Sequence, residues 1–432
     1  SLSPEQLINP KSALSDAVPV KRKTKHWYFP LQDYEPWLKE WIIEGHKEWK
    51  NNVYGQCKSW LDKGLQSRAM TRDSNWGIKV PSPPAPEGGG GKVLYVWFDA
   101  PIGYISATKE LTDQWADYWC QEDTKLVHFI GKDNIVFHCI IFPAMLKAHG
   151  GFVLPENVPA NEFLNIEGEK VSTSRNWAVW VHDYIKDFAG CEDVLRYVLC
   201  ANAPETKDND FTWKDFQDRN NSELVSIFGN FVNRTWVLMH KLCGGKVPKL
   251  HEDILDEKDK ELIEDIRQTK EKVEGLLETF KFRDALFEVI DLSRKGNRYM
   301  QEKEPWIVVK QLGEKPEAQK SIDNCLHLCL QLTANLSILI NPFLPTTARK
   351  MLGMMKVVEK MLDWENAGSI KLLSVGYSLR EPQLLFRKIE DEEIAAQVEK
   401  LKTGLIKPVN MEIEKTPEET TPAKATIQFD DF

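Results

Sequence analysis

Hydrophobic residues occur in two different patterns along this chain. In DYEPWLKEWIIEGHKEW they repeat at helical spacing, so that Trp37, Trp41 and Ile42 fall on one face. KVLYVWFDAP and KLVHFIGKD are instead short, nearly continuous apolar runs, typical of parallel strands that are buried on both faces. The run between them and the following VFHCIIFPAMLKAHG have the pattern of helices. This alternation predicts a parallel sheet layered by helices.

Two polar stretches interrupt these elements. A Pro-rich run that ends in Gly88 to Gly91 predicts a surface connection, either a boundary or a hairpin tip. NEFLNIEGEKVSTSRN predicts a hairpin with its turn at Glu167 and Gly168, followed by a polar loop from Lys170 to Asn176.

The second half of the chain has a different character. From about Asn221 to about Asp363 the apolar positions keep helical spacing among many charges, which predicts an all-helical domain. From Asp391 onward, ten acidic and five basic residues with Pro and Thr clusters predict an exposed, weakly ordered linker. The predicted fold class is therefore α/β followed by an all-α bundle.

Composition narrows the possible functions. The 432 residues predict about three domains, and a net charge of −9 means that any nucleic-acid site must be local. No uncharged apolar stretch approaches the length of a membrane span and no secretory signal is visible, so we expect a cytoplasmic protein.

The eight cysteines include no C-x-x-C pair and the nine histidines form no close metal pattern, so we predict no metal in this chain. Cys325 and Cys329, one helical turn apart, are expected to pack in a core.

YVWFDAPIGYISAT carries the first candidate site. If it begins as a strand, then Trp97, Ala100, Pro101 and Tyr104 converge at the carboxyl edge of the sheet, where ligands bind. Large rings beside a small residue form a slot for an unbranched apolar side chain, and a thioether packs well against them. The alternative is a well-packed core turn.

FIGKDNIVFH carries the second candidate site. Gly131 allows close backbone approach, Asp133 can accept hydrogen bonds from ribose hydroxyls, and His138 could face the same pocket. The alternative for His138 is a satisfied core histidine.

KVSTSRN concentrates cations and hydroxyl donors that suit a polyphosphate leaving group. These residues are Lys170, Ser172, Thr173, Ser174 and Arg175. The alternative is a solvated surface turn.

The helical half offers a candidate RNA site. Asn230, Asn233 and Arg234 lie close together in GNFVNRTW, while Trp306 follows Pro305, which favours a helix start. Asn, Arg and an exposed Trp can hydrogen-bond and stack on splayed RNA bases. The alternative is an ordinary helix that packs Trp306 into the core.

In order along nearly the whole chain, these segments resemble the methionyl-tRNA synthetase family of class I aminoacyl-tRNA synthetases. HWYFPLQDYEPWL resembles the end of the family's connective insertion, and YVWFDAPIGY and FIGKDNIVFH resemble its methionine and adenylate strands. EKVSTSRN occupies the place of the K-M-S-K-S loop, and NFVNR with EPWIVVK resembles the anticodon-binding helices. The implied fold is the second half of a Rossmann-type nucleotide-binding domain plus a helical anticodon-binding bundle.

The resemblance implies a role for each candidate residue. Trp97, Ala100, Pro101, Tyr104 and His138 would bind methionine, and Gly131 and Asp133, with Lys170 and Thr173, would bind ATP. Lys170, Ser172, Thr173, Ser174, Arg175 and Arg72 would form the catalytic set, with Mg²⁺ accompanying ATP. Asn230, Arg234 and Trp306 would read the anticodon of tRNA(Met).

Two departures from the family pattern matter. The second lysine of the loop is Thr173 here, so Lys170 or Arg175 would have to supply the charge. No His-x-Gly-His string occurs in the sequence. We therefore expect a fragment or one subunit of a split enzyme, inactive alone, whose N-terminal half is a covalent or separate partner. The family's zinc knuckles and its dimerising module, to which ATIQFDDF resembles a lead-in, would also lie outside this chain.

The implied domain ranges are an insertion remainder at 1–70, half of the Rossmann domain at 71–160, the loop and stem-contact region at 161–220, the anticodon-binding domain at 221–370 and an extension with a flexible linker at 371–432. Two competing functions stay open: a class I synthetase for another amino acid (leucine, isoleucine, valine or cysteine), and a catalytically silent tRNA-binding module.

Overall fold

The computed structural model describes residues 24–74, 76–80, 92–313 and 317–405, with the single positions 11, 18 and 315. The predicted connection at Gly88 to Gly91 and the tail from residue 406 lie outside the described residues. The chain divides into two compact units: residues 1–164, 200–209 and 269–288, and residues 165–199, 210–268 and 289–432.

The first unit combines short strands with helices. Its strands are Tyr28–Phe29, Arg68–Ala69, Thr71–Asp73, Lys92–Leu94, Leu126–Val127, Ile130–Gly131, Pro155–Asn157 and Ala160–Asn161. Its helices are Glu35–Leu38, Lys39–Glu44, Asn51–Asp62, Val96–Asp99, Ile102–Leu111, Trp115–Trp119, Phe137–Ile141 and Phe142–His149. Trp37 and Trp41 stack with ring centroids 5.4 Å apart and Ile42 is fully buried, so the helical face predicted from spacing is confirmed.

Parallel pairing occurs where the second apolar run predicts it. Leu126–Val127 pairs with Pro155–Asn157, and Ile130–Gly131 pairs with Ala160–Asn161, both in parallel. The helices Phe137–Ile141 and Phe142–His149, which follow these strands, pack into two apolar clusters. Ile140 belongs to one cluster and Phe142 to the other. Burial on two sides fixes their rotation and therefore the direction of their polar side chains.

The prediction for KVLYVWFDAP was wrong in part. Only Lys92–Leu94 is a strand, and it pairs antiparallel with Thr71–Asp73. On its other side, Leu94 N–H donates to the Ile78 carbonyl and Val80 N–H donates to the Lys92 carbonyl. At Tyr95 the chain turns into the helix Val96–Asp99. The continuous apolar run therefore reflects burial of both a strand and a helical turn, which periodicity cannot separate over so few residues.

The second unit is mainly helical. It includes all or part of the helices Val181–Asp187, Glu192–Ala201, Trp213–Arg219, Asn220–Gly229, Asn230–Cys243, Glu257–Glu278, Phe282–Lys303, Pro305–Val308, Ala318–Ile340, Pro345–Met355 and Asp391–Thr403. Ala318–Ile340 is buried almost throughout its second half and carries Cys325 and Cys329, whose predicted packing role is confirmed. None of the described helices is long and apolar enough to cross a membrane.

The predicted hairpin is confirmed. Leu164–Ile166 pairs antiparallel with Glu169–Lys170, and both Glu167 (φ 50°) and Gly168 (φ 79°) adopt the left-handed conformation that a tight hairpin turn requires. Asn209–Phe211 completes the three-stranded sheet.

The sequence predicts a weakly ordered linker from Asp391 onward. This prediction was wrong for residues 391–403, which form a helix. Glu390 and Glu393 make a reciprocal capping box at its start, and Arg387 binds the Glu393 carboxylate with two nitrogens, at 2.9 and 2.8 Å. An acidic first turn that looks like a solvated linker in sequence is thus a helix N-terminus with its donors satisfied.

Candidate functional site

Tyr104 and His138 meet at the centre of the first candidate site. The Tyr104 Oη lies 2.9 Å from Nε2 of His138, and His138 Nδ1 lies 3.0 Å from the Asn134 carbonyl oxygen. A carbonyl can only accept, so Nδ1 carries the proton, and burial lowers the pKa of His138 and keeps the ring neutral. Nε2 therefore accepts a hydrogen bond from the tyrosine hydroxyl.

His128, which sequence reasoning missed, belongs to the same cluster. Its ring centroid lies 5.3 Å from that of Tyr104 and 5.0 Å from that of His138. Burial, with a smaller contribution from His138, lowers the pKa of His128 to about 4. Its buried Nε2 has no hydrogen-bond partner within the described part of the chain. The available signal was a polar residue inside the apolar strand segment KLVHFIG.

Trp97 lies on the short helix Val96–Asp99, and 53% of its surface is exposed. Its ring centroid is 6.1 Å from that of Phe137, the residue before His138. Ala100 is exposed and Pro101 is buried at the start of the next helix. An indole this exposed is not a core residue, so the core-turn alternative does not describe Trp97. Tyr104 is also exposed (44%), so both rings present aromatic surface to solvent.

Gly131 ends its strand two residues before Asp133. A Cβ atom at Gly131 would lie 2.9 Å from Asp133 Oδ1, so a larger residue there would push this exposed carboxylate aside. Asp133 is exposed, with its Oδ1 3.4 Å from Asn134 Nδ2. The geometry leaves an exposed acceptor at a strand end, as a ribose-binding carboxylate needs.

Arg72 is a strand residue of the first unit. Its guanidinium lies 3.7 Å from the centroid of the Tyr95 ring, and its Nη1 donates to the Thr71 carbonyl at 2.9 Å. Stacking on an aromatic face orients the guanidinium without neutralising its charge. Tyr95 is the residue from which the helix bearing Trp97 begins.

The candidate phosphate-binding site is the 170–175 loop of the second unit. Ser172 and Trp177 exchange backbone hydrogen bonds at 3.0 and 2.8 Å, which closes the loop. Ser172 Oγ lies 3.3 Å from Ser174 Oγ, and Arg175 forms a 4.0 Å ion pair with Glu169. The side chains of Lys170, Thr173, Ser174 and Arg175 are exposed. The loop thus presents cations and hydroxyls on a closed backbone.

The candidate RNA site lies in the helical part of the second unit. The Arg234 guanidinium lies 5.1 Å from the Trp306 ring centroid, and Asn230 Nδ2 donates to Asn297 Oδ1 at 3.2 Å. The helix start predicted at Pro305 is confirmed, with Glu304 in the left-handed conformation before it. Trp306 is only half-buried, so its ring is not packed wholly into the core. Sequence reasoning missed Asn297, whose only signal is a polar residue in KGNRYM.

Comparison with known families places the chain in a class. Residues 1–236 match the family model described as tRNA synthetases class I (M). This match covers more than half of the chain, which therefore belongs to that family of class I tRNA synthetases. Residues 248–404 match a second model, the anticodon binding domain of methionyl tRNA ligase.

Curated relatives agree with the family models. A methionine–tRNA ligase of Bacteroides fragilis strain YCH46 is 56% identical over 437 residues, a match that covers all of this chain and 61% of the relative. One of Porphyromonas gingivalis strain ATCC 33277 is 55% identical over 433 residues, with the same coverage of both chains. The chain thus spans about three fifths of the length of these relatives.

Solved structures show the fold. A Mycobacterium tuberculosis methionyl-tRNA synthetase in complex with methionyl-adenylate superposes with a TM-score of 0.74 at 24% identity, covering 86% of this chain and 71% of that one. The predicted fold class, α/β with an all-α anticodon-binding bundle, is confirmed by this likeness and by the family models.

Proposed function

We propose that this chain is part of a methionine–tRNA ligase, which converts ATP, L-methionine and tRNA(Met) to AMP, diphosphate and L-methionyl-tRNA. The observation that carries the proposal is the Tyr104–His138 hydrogen bond beside the exposed Trp97 ring, in a chain of this family. In this proposal the chain supplies the methionine pocket, the phosphate-binding loop and the anticodon-binding helices.

The proposed methionine pocket works by packing. The side chain of methionine would lie against Trp97 and Tyr104, with Ala100 leaving room for it and Pro101 holding the turn. A thioether is polarizable and packs favourably on aromatic rings. Discrimination against one missing methylene is worth only about 1 to 3 kcal/mol, so shorter homologues would be activated at a low rate.

The proposed activation step requires little covalent chemistry from the protein. The methionine carboxylate attacks the α-phosphorus of ATP, the bond to the bridging oxygen breaks, and pyrophosphate leaves. Lys170 and Arg175 would stabilise charge on the phosphates, with hydroxyls from Ser172, Thr173 and Ser174. Mg²⁺ would be held by the phosphates, since the loop itself offers hydroxyls and cations.

The remaining groups would bind the ribose of ATP, anionic groups of the substrates, and the tRNA. Asp133 would accept hydrogen bonds from the ribose hydroxyls, with Gly131 allowing close approach. Arg72, oriented on Tyr95, would face anionic groups of the substrates. In the second unit, Trp306 would stack on an anticodon base.

Arg234 lies over one face of the Trp306 ring. Its positive charge would make this surface complementary to the negatively charged RNA. Asn230, held by Asn297, would supply the amide that hydrogen-bonds to a base edge. After activation, a hydroxyl of the terminal tRNA ribose would attack the activated carbonyl and release AMP.

The rest of the activity is proposed to come from sequence outside this chain. The relatives are longer than the part that this chain matches, and the 432 residues contain no His-x-Gly-His string. We assign that signature half, any zinc knuckles and any dimerising module to the remaining length, carried on the same polypeptide or on a partner. The proposed setting is the cytoplasm.

Thermal unfolding with and without methionine tests the pocket. A ligand that binds only the native state raises the melting temperature. We expect a rise for the wild type and for Trp76→Ala, a control with a similarly exposed indole (57%), but no rise for Trp97→Ala. An unchanged response in Trp97→Ala would show that the pocket is elsewhere.

Methionine-dependent pyrophosphate exchange tests the activity. The proposal expects exchange once the chain is combined with the signature half of the enzyme. Absence of exchange even then, with tRNA binding retained, would favour a catalytically silent tRNA-binding module.

A further inference from the structure

Asn176 ends the 170–175 loop and connects it to two helices. Its φ is 54°, a left-handed conformation that asparagine tolerates better than most residues, and its backbone N–H donates to the Thr173 carbonyl at 3.0 Å. Its side-chain Oδ1 accepts from Trp180 Nε1 at 2.7 Å, and its Nδ2 donates to the Gly404 carbonyl at 3.0 Å. One carboxamide therefore joins the loop to the residue before the Val181–Asp187 helix and to the end of the Asp391–Thr403 helix.

Gly404 is suited to this contact by its small size. Its φ of −71° is open to any residue, so no conformational need explains the glycine. A Cβ atom there would lie 3.0 Å from Asn176 Nδ2 and 3.0 Å from the Lys400 carbonyl oxygen. Carbonyls at a helix C-terminus lack intrahelical partners and carry partial negative charge, which favours an N–H donor such as Asn176 Nδ2.

Polar contacts hold the same helix against Val181–Asp187. Lys400 Nζ lies 3.0 Å from Asp187 Oδ2 and 3.5 Å from Asp183 Oδ2, and Gln397 Nε2 donates to Asp187 Oδ2 at 2.9 Å. A cavity of about 290 Å³ lies between these elements, lined in part by Trp180, Lys400 and Gly404. Leu401 of this helix is buried and lines the same cavity, so apolar packing and these polar contacts together hold the helix end.

We propose that Asn176 is a positioning residue for the 170–175 loop, and that the Asp391–Thr403 helix controls the loop through the Gly404 carbonyl. Displacement of this helix end releases the carboxamide and lets the loop open. The catalytic consequence rests on the proposed function, in which the loop binds the phosphates of ATP. The mechanical coupling itself does not depend on that function.

Two substitutions in the full-length protein test the coupling. Asn176→Gly keeps the left-handed backbone accessible and removes both side-chain hydrogen bonds. Gly404→Ala places a Cβ atom 3.0 Å from Asn176 Nδ2 and from the Lys400 carbonyl oxygen, so the carboxamide or the helix end must shift by a few tenths of an ångström. Gly353→Ala is the matched control, since a Cβ atom there has no neighbour within 4 Å in the described structure.

Trypsin cleavage after Lys170 and Arg175, followed by mass spectrometry, measures loop opening directly. We expect cleavage in Asn176→Gly and Gly404→Ala to be about tenfold faster than in the wild type, the order expected for losing one or two hydrogen bonds. In pyrophosphate exchange, we expect KM for ATP to rise several-fold while KM for methionine stays constant. Gly353→Ala should match the wild type in both assays.

Unchanged cleavage in both variants would overturn the coupling, as would an equal rise in KM for both substrates, which indicates general loosening. Faster cleavage in a protein whose wild type shows no exchange would support the coupling and count against the proposed function. If Asn176→Gly does not fold, Lys400→Met releases the helix without altering the loop, and its cleavage rate decides the question.

Discussion

The Tyr104 hydroxyl donates a 2.9 Å hydrogen bond to Nε2 of His138, a buried imidazole whose other nitrogen is held by the Asn134 carbonyl. The direction of this bond is set by the neutral tautomer of His138. The phenol ring is thereby held in one orientation beside the proposed methionine pocket.

Replacing Tyr104 with Phe is expected to raise KM for methionine by about tenfold, because the ring loses its hydrogen bond and His138 Nε2 loses its donor. The assay is methionine-dependent pyrophosphate exchange. Tyr118→Phe, at a tyrosine that is 60% exposed, is the control and should leave KM unchanged. An unaltered KM in Tyr104→Phe would mean that the bond has no role in holding the substrate.

Trp306→Ala is expected to weaken tRNA aminoacylation far more than methionine activation. Loss of one stacked base costs about 1 to 3 kcal/mol, a factor of roughly 5 to 150 in kcat/KM for tRNA. Ile307→Ala, at an exposed neighbour on the same helix, is the control. Equal losses in activation and aminoacylation would remove Trp306 from the anticodon site.

Restoring a lysine at Thr173 tests the departure from the family loop. Thr173 is exposed, so a longer side chain fits without repacking. We expect Thr173→Lys to lower KM for ATP by about twofold to fivefold, as one additional exposed charge pair would. Ser174→Lys adds the same charge one position along and should have a smaller effect. A raised KM in Thr173→Lys would show that the hydroxyl is itself required.

The buried His128 is expected to make stability depend on pH. Its pKa of about 4 in the folded protein lies below the ordinary value of 6.5, so the unfolded chain binds the extra proton first. Stability is therefore complete above pH 6.5 and falls as the pH drops toward 4, by about 2 kcal/mol at pH 5 for one group.

Urea unfolding at pH 7.5 and pH 5 measures this effect. His128→Phe keeps an aromatic ring among Tyr104, His138 and Phe142, and should lose less stability between the two pH values than the wild type. His182→Gln, at an exposed histidine, is the control. The same pH dependence in His128→Phe and the wild type would contradict the prediction.

Sequence reasoning succeeded where structure depends on near neighbours. The hairpin turn at Glu167 and Gly168 and the helix start at Pro305 follow from backbone conformations that these residues favour locally. It failed for KVLYVWFDAP, where strand and helix bury the same kind of side chain, and for residues 391–403, whose helix is also held by Asp187 and Gln217, far away in sequence.

The amino-acid sequence by itself determined the order of the elements, the family and the identity of the candidate groups, because motifs and periodicity are local properties. Only the tertiary structure decided that His128 joins Tyr104 and His138, that Asn297 supports Asn230, and that Asn176 meets Gly404 across 228 positions. These contacts arise when packing brings distant segments within hydrogen-bond distance, and no spacing along the chain encodes that meeting.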